Sequence, residues 1–179
     1  MPHLIGENIM LREYRMDDID DIQNWVNDGE VTKFLSGLFL YPHTRTDTEN
    51  FLKAMLNKTS DIRGFVIAHK DGSYIGQVDL MKIDWVSRKA TLGIVIGKKE
   101  LHGKGIGTEA ISLLLKFAFD QMNLNKVELT VNEHNMAGRE CYKKCGFVEE
   151  GRLREDFYSY GEYSDMLVMS CLKKDFYKL

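Results

Sequence analysis

The chain has 179 residues, 44% hydrophobic and 28% charged, which is enough for one domain with a substantial core. Its formal net charge of −3 excludes a general affinity for nucleic acid or anionic membrane, and no apolar run approaches the ~18 residues of a membrane-spanning helix. Three cysteines, an odd number, argue against a disulfide framework, and the opening MPHLIGENIM has no signal-peptide pattern, so a cytoplasmic protein is expected.

Ile9 to Tyr14 alternates well enough for a first strand. Asp17, Asp18, Asp20 and Asp21 then open a helical pattern with Ile19, Ile22, Trp25 and Val26 on one face. This acidic cluster reads as a helix start favoured by the macrodipole rather than as a metal site. Residues 31–41 are apolar and irregular, Pro42 blocks a helix, and Thr46 to Asn57 reads as a second helix with Phe51, Leu52, Met55 and Leu56 as its apolar face. Arg63–His69 and Tyr74–Ile83 are strands joined by Lys70-Asp71-Gly72-Ser73, whose Asp-Gly pair signals a hairpin. A turn near Asp84 to Ser87 leads into a Lys89–Ile96 strand and completes an antiparallel meander.

That strand ends at Gly97. A loop follows with Gly103, Gly105 and Gly107 on alternate positions, then an apolar helix of about four turns beginning with Thr108 and Glu109. Closely spaced glycines ahead of a helix let several backbone N–H groups point at one anion, and the helix dipole adds positive potential, so the unit predicts a pyrophosphate cradle. A P-loop is excluded because Lys104 is followed by Gly105 instead of Ser or Thr. A dinucleotide fingerprint needs GxGxxG, whereas the chain offers GxGxG and no suitably placed acidic residue. From the loop alone, a helix start with extra glycines and no ligand stays open. Lys126–Val131 reads as the next strand, Asn135 as the N-cap of a Met136–Cys145 helix, and Gly146 as its C-cap glycine. Phe147–Asp156 and Tyr163–Leu172 are the last strands, around a Tyr160-Gly161 turn. The pattern is α+β, one domain over residues 1–179, without repeats or linkers.

Residues 102–108, HGKGIGT, resemble the acetyl-CoA pyrophosphate loop of the GNAT superfamily of N-acetyltransferases, whose pattern is Gln/Arg-x-x-Gly-x-Gly/Ala. Gly105 and Gly107 fill the glycine positions and His102 replaces the usual Gln or Arg. A second block, Asn135 to Phe147, is similar to the family's N-x-x-A-x-x-x-Y-x-K-x-G-F segment, with Asn135, Tyr142, Lys144, Gly146 and Phe147 in register. The opening Gly6 to Arg12 and the closing Gly151 to Arg154, Gly161 and Asp165 to Met169 share the pattern of the RimJ/RimL-like branch and of spermidine N-acetyltransferases. The resemblance implies a GNAT-like fold: a mixed, mostly antiparallel sheet of six to seven strands, helices on both faces, and a splayed central strand pair.

It also implies acetyl-CoA as co-substrate, no metal, and a cofactor seat formed by Ile94, Val95 and Ile96, by His102, Gly103, Lys104, Gly105, Ile106, Gly107 and Thr108, and by Asn135, Ala137, Tyr142 and Lys144. The acetyl carrier would lie in the gap between the Lys89–Ile96 and Lys126–Val131 strands. There an N–H of the first strand polarises the thioester carbonyl and stabilises the tetrahedral oxyanion. Tyr142 lies two helical turns beyond Asn135 and, where relatives carry tyrosine, acts as the general acid that protonates the departing CoA thiolate. The base is less evident. An ammonium with pKa near 10.4 costs about 4–5 kcal/mol to deprotonate at pH 7. Many relatives place a glutamate on the strand before the loop, a position held here by Thr91, which cannot serve; Glu133, Asp79 or Asp84 acting through water are the alternatives.

Cys141 and Cys145, i and i+4 on one helix with His134 nearby, read as packed small side chains, since a metal needs three or four ligands and no His is paired with either thiol. Between Glu30 and Asp47 the chain reads VTKFLSGLFLYPHTRT, without a carboxylate, where polyamine-acetylating relatives tend to be acidic. Phe34, Leu35, Leu38, Phe39 and Tyr41 then line a pocket or pack on the core. The expected partner is a small-molecule or peptide amine: an amino-sugar, amino-acid derivative, peptide N-terminus or polyamine. A non-catalytic acetyl-CoA sensor is the alternative, and exposed strands near the C-terminus leave room for a homodimer or higher homo-oligomer.

Overall fold

Eight strands form one mixed sheet in a computed structural model that describes residues 3–179. They are β1 (Leu4–Ile5), β2 (Ile9–Arg12), β3 (Arg63–His69), β4 (Tyr74–Asp84), β5 (Lys89–Ile96), β6 (Lys126–Asn132), β7 (Val148–Ser159) and β8 (Glu162–Leu172), in spatial order β1-β2-β3-β4-β5-β6-β8-β7. Every neighbouring pair is antiparallel except β5 with β6. The helices are α1 (Ile19–Val26), α2 (Gly29–Thr32), α3 (Arg45–Leu56), α4 (Ile106–Asp120), α5 (Met136–Lys144) and α6 (Lys173–Phe176).

Period-two alternation divides the sheet into two cores. Val78 and Leu80 of β4 and Leu92 of β5 bury against α4, whose Ala110, Ile111, Leu114, Leu115, Ala118 and Phe119 make a continuous apolar stripe. At ~1.5–3 kcal/mol for each large side chain taken out of water, this stripe dominates the stability of that face. The other face carries α1 and α3, with Ile22, Trp25, Val26 and Leu52 packed on Met10, Val66, Ala68 and Tyr74. Gln77, Asp79 and Met81 of β4 face this second side, as do their direct partners Val95, Gly93 and Thr91 on β5.

The strand forecast holds for the meander and for the last two strands, which run longer than expected around Tyr160 and Gly161 at φ 51° and 89°. The sheet has eight strands instead of six or seven because Leu4–Ile5, two residues with no pattern of their own, pairs with β2. β2 stops at Arg12, short of Tyr14. There the chain turns so that the Arg12 guanidinium, buried, clasps Asp18 with Nη1–Oδ2 at 3.0 Å and Nη2–Oδ1 at 2.6 Å. Asp18 therefore does more than open a helix: its Oδ2 also accepts from the Arg15 amide at 2.8 Å and locks α1 onto the sheet.

The parallel pair is short. Lys89, Ala90 and Thr91 face Lys126, Val127 and Glu128, and there the ladder ends. β5 continues beside β4 to Ile96, and β6 continues beside β8 to Asn132. Beyond Thr91 and Glu128 the two strands therefore part, as expected of a splayed central pair, and turn main-chain edges toward a gap.

Candidate active site

The gap opens into a groove of about 1910 Å³ that crosses from the α4–α5 side of the sheet to the α1–α3 side. One end is the start of α4. The helix begins at Ile106, two residues earlier than its sequence suggests, because Gly105 serves as N-cap at φ 79°, a left-handed conformation costly for any residue with a Cβ. No side chain caps it, and the first helical bond is Glu109 N–H to Gly105 C=O. The amides of Ile106, Gly107 and Thr108 are thus left without intrahelical partners. The contrast with the neighbouring helices is direct: Thr44 caps α3 by accepting from Asp47 N–H, and Asn135 caps α5 by accepting from Gly138 N–H at 3.0 Å. Three open donors on a helix dipole are an anion seat.

Of the residues expected around a cofactor, Gly103, Gly105, Ile106, Gly107 and Thr108 line this groove, as do Ile94, Val95 and Ile96 on β5 and Asn135, Ala137, Tyr142 and Lys144 on α5. One of the expected residues lies outside it. Lys104 is exposed and outside the groove lining, because the positive φ of Gly103 and Gly105 on either side turns it outward. His102 lines the groove, but its Nε2 lies 2.7 Å from the Ile96 carbonyl and donates to it, tying the loop to the end of β5.

Tyr142 projects from the last turn of α5 into the groove and packs its ring on Phe147, centroids 5.8 Å apart. Burial first, then the neighbouring thiols of Cys141 and Cys145, push its pKa well above that of a free phenol, so it stays protonated at neutral pH. Cys141 is half-buried, lines the groove, and lies 3.4 Å from the Thr108 hydroxyl; Cys145 is buried beneath it. A hydrogen bond from Cys145, opposed by burial and aided by Thr108, holds the Cys141 thiol below its ordinary pKa. No cluster of three or more metal-ligating side chains occurs among the described residues.

The other end of the groove is made of side chains. Phe34, Leu35, Leu38, Phe39 and Tyr41 line it, so the apolar stretch before Pro42 is a pocket wall as well as a packing element. Phe39 stacks on His43 at 5.2 Å and leans on Trp25 at 5.5 Å. Ion pairs fasten this wall to the cofactor end: Lys99, just after β5, bridges Asp28 at 2.8 Å and Glu30 at 2.9 Å, and Lys98 bonds Asp21.

The three carboxylates considered as bases separate cleanly. Glu133 gives one oxygen to Arg152 and the other to the Asp165 amide, both at 2.8 Å. Asp84 caps the β4–β5 turn through the amides of Val86 and Ser87. Neither lines the groove. Asp79 does, from the middle of β4, 8% exposed, with Oδ1 accepting from the Tyr14 hydroxyl at 2.6 Å and Gln77 Nε2 3.4 Å from Oδ2. Its carboxyl lies over Gly64 of β3, where a Cβ would come within 1.7 Å of Oδ1. Burial pushes its pKa up to about 7, against the opposing hydrogen bonds of Tyr14 and Gln77. Gln77 carries no signal in sequence beyond a polar position alternating with Val78 and Leu80, and Tyr14 none beyond closing the first expected strand.

Comparison with known proteins agrees with this geometry. A family described as "Acetyltransferase (GNAT) domain" matches residues 8–148. A spermidine N(1)-acetyltransferase of Vibrio cholerae is 31% identical over 175 residues, covering 96% of this chain and 97% of that protein. A putative ribosomal N-acetyltransferase of Bacillus subtilis is 38% identical over 105 residues, 59% of this chain and 57% of that one. The crystal structure of the spermidine N-acetyltransferase from Vibrio cholerae in complex with CoA and spermine superposes with a TM-score of 0.85 at 29% identity, covering 96% of this chain and 99% of that one.

Proposed function

The chain belongs to the GNAT family of acetyltransferases and is an acetyl-CoA-dependent N-acetyltransferase; on that premise we propose how residues 1–179, as one catalytic domain, acetylate a primary amine by direct attack. The observation that carries the reading is the convergence on one groove of the uncapped α4 amides, the unpaired edge of β5 and the Tyr142 hydroxyl. Acetyl-CoA supplies an activated acetyl thioester. The amides of Ile106, Gly107 and Thr108 bind its diphosphate, with Lys144 adding positive charge. Ile94, Val95 and Ile96 take the pantetheine amides as a further strand, and one of their N–H groups holds the developing oxyanion. Tyr142 gives its proton to the departing thiolate.

The acceptor enters from the α1–α3 side, against Phe34 and Phe39. A polyamine needs a carboxylate for each distal ammonium, since a buried charge must be paired. Five carboxylates line the groove: Lys99 engages Glu30, Asp47 accepts from the Thr44 amide and Lys143 engages Glu140, while Asp79 and Asp156 meet no cation among the described residues. That admits a polyamine such as spermidine, with an amino-acid derivative or peptide N-terminus as the second reading that the Phe34 and Phe39 wall allows. Thiol release from acetyl-CoA, followed over spermidine, glucosamine and phenylalaninamide, tests this reading. Turnover with at least one, spermidine first, is expected. Binding of CoA without thiol release for any amine of the panel overturns it.

A further inference from the structure

An amine reaches the groove as its ammonium and must lose a proton before it attacks, yet Thr91 occupies the strand position where the reaction would find a carboxylate. Resting on the function proposed above, we propose that Asp79 is the base, taking the proton of the acceptor's ammonium through one water in the groove. Asp79 stands on β4 opposite Gly93, two residues from Met81, the partner of Thr91, and on the same face. The carboxylate that Thr91 lacks is thus supplied one strand over, on the acceptor side of the sheet.

A purely structural role does not account for this residue. Buried charges are ordinarily paired, as Asp18 is with Arg12. Asp79 has no cation: it faces the Tyr14 and Tyr74 phenols and Gln77 from one side, the Gly64 backbone from β3, and Gly93 and Thr91 from β5. No charged side chain perturbs it, and Asp18, which acts on both phenols, is itself neutralised by Arg12. A carboxyl held near pH 7 by burial alone is matched to a proton transfer at neutral pH. Tyr14 is its positioning residue. It fixes one oxygen by a hydrogen bond and leaves the other toward Gln77 and the groove.

The step balances. The ammonium gives one proton to the Asp79 carboxylate, which passes it to solvent. The nitrogen lone pair forms the C–N bond to the acetyl carbon. The C–S bond breaks with its electron pair on sulfur, the sulfur takes the Tyr142 proton, and the surplus proton on nitrogen restores the Tyr142 hydroxyl. One acetyl group moves and one proton is released.

The test compares wild type with Asp79→Asn, which keeps the Tyr14 hydrogen bond, and with Tyr14→Phe, using spermidine, glucosamine, phenylalaninamide and hydroxylamine as acceptors. CoA affinity by calorimetry is expected to stay within twofold in both variants. For spermidine, whose amines are held as ammonium ions at pH 7, Asp79→Asn loses at least 100-fold in kcat/KM at pH 7, together with the ascending pH limb near 7, and the less basic glucosamine and phenylalaninamide lose less. With hydroxylamine, whose nitrogen is already neutral at pH 7, the loss shrinks to under fivefold. Tyr14→Phe moves the ascending limb to higher pH, since it removes a bond to the carboxylate. An Asp79→Asn rate with spermidine within threefold of wild type overturns the assignment, and so does an equal loss for hydroxylamine and spermidine, which marks a merely structural residue. Absence of thiol release by wild type with every acceptor overturns instead the function on which the assignment rests.

Discussion

At the α4 end of the groove a ligand meets main chain: the open amides of Ile106, Gly107 and Thr108 and the unpaired edge of β5. At the α1–α3 end it meets side chains gathered from distant parts of the sequence, with Phe34 and Phe39 after α2, Asp79 on β4 and Phe157 on β7. A main-chain site depends on backbone conformation, so it tolerates change in most side chains while restricting the few glycines that shape it. A side-chain site can be rebuilt residue by residue, which is how one scaffold keeps its acyl donor and changes its acceptor. The two ends should therefore fail in different ways, and mutation can separate them.

The largest effect is expected where the two ends meet. Tyr142→Phe should lower kcat by roughly 10²–10³-fold while CoA affinity holds, as thiol release and calorimetry would show. At the main-chain end, Gly105→Val imposes about 1–2 kcal/mol of left-handed strain at φ 79° although no atom lies within 4 Å of the new Cβ. CoA affinity should fall roughly 10-fold with little change in amine KM. At the side-chain end, Asp79→Asn should stabilise the fold, by an amount that depends on pH. The carboxyl moves from its ordinary 3.8 to about 7 on folding, so between those values the folded chain binds more protons and its stability declines as pH rises. Linkage sets a ceiling of ~4 kcal/mol for removing that penalty, and the weaker Tyr14 bond to an amide takes back part, leaving about 1–2 kcal/mol. Thermal melts should show the gain above pH 7 and none below pH 4. Phe34→Ala should be the smallest, a roughly three- to fivefold rise in amine KM with unchanged CoA binding.

The same difference in material explains what could be read in advance. Gly105 and Asn135 were legible because a left-handed N-cap and a side-chain cap each demand particular residues within a few positions. α4 starts two residues before Thr108 because glycine at the N-cap lets a helix begin at Ile106 without a polar capping side chain to mark it. Leu4–Ile5 is too short to alternate and is a strand only because β2 lies beside it. Asp79, Asp84 and Glu133 looked equivalent in sequence. Burial and hydrogen-bond partners distinguish them, and those depend on Tyr14, Arg152 and the β4–β5 turn. His102 occupied the expected position in the loop but turned to the Ile96 carbonyl, a contact visible only once β5 and the loop were placed together.

The most direct trial is a titration of ¹⁵N-labelled protein with CoA, read residue by residue. The account predicts that the amides of Ile106, Gly107 and Thr108 and those of Ile94 to Ile96 shift together, with one saturating affinity, while those around Phe34 move little. Shifts concentrated elsewhere, or none at saturating CoA, would contradict it.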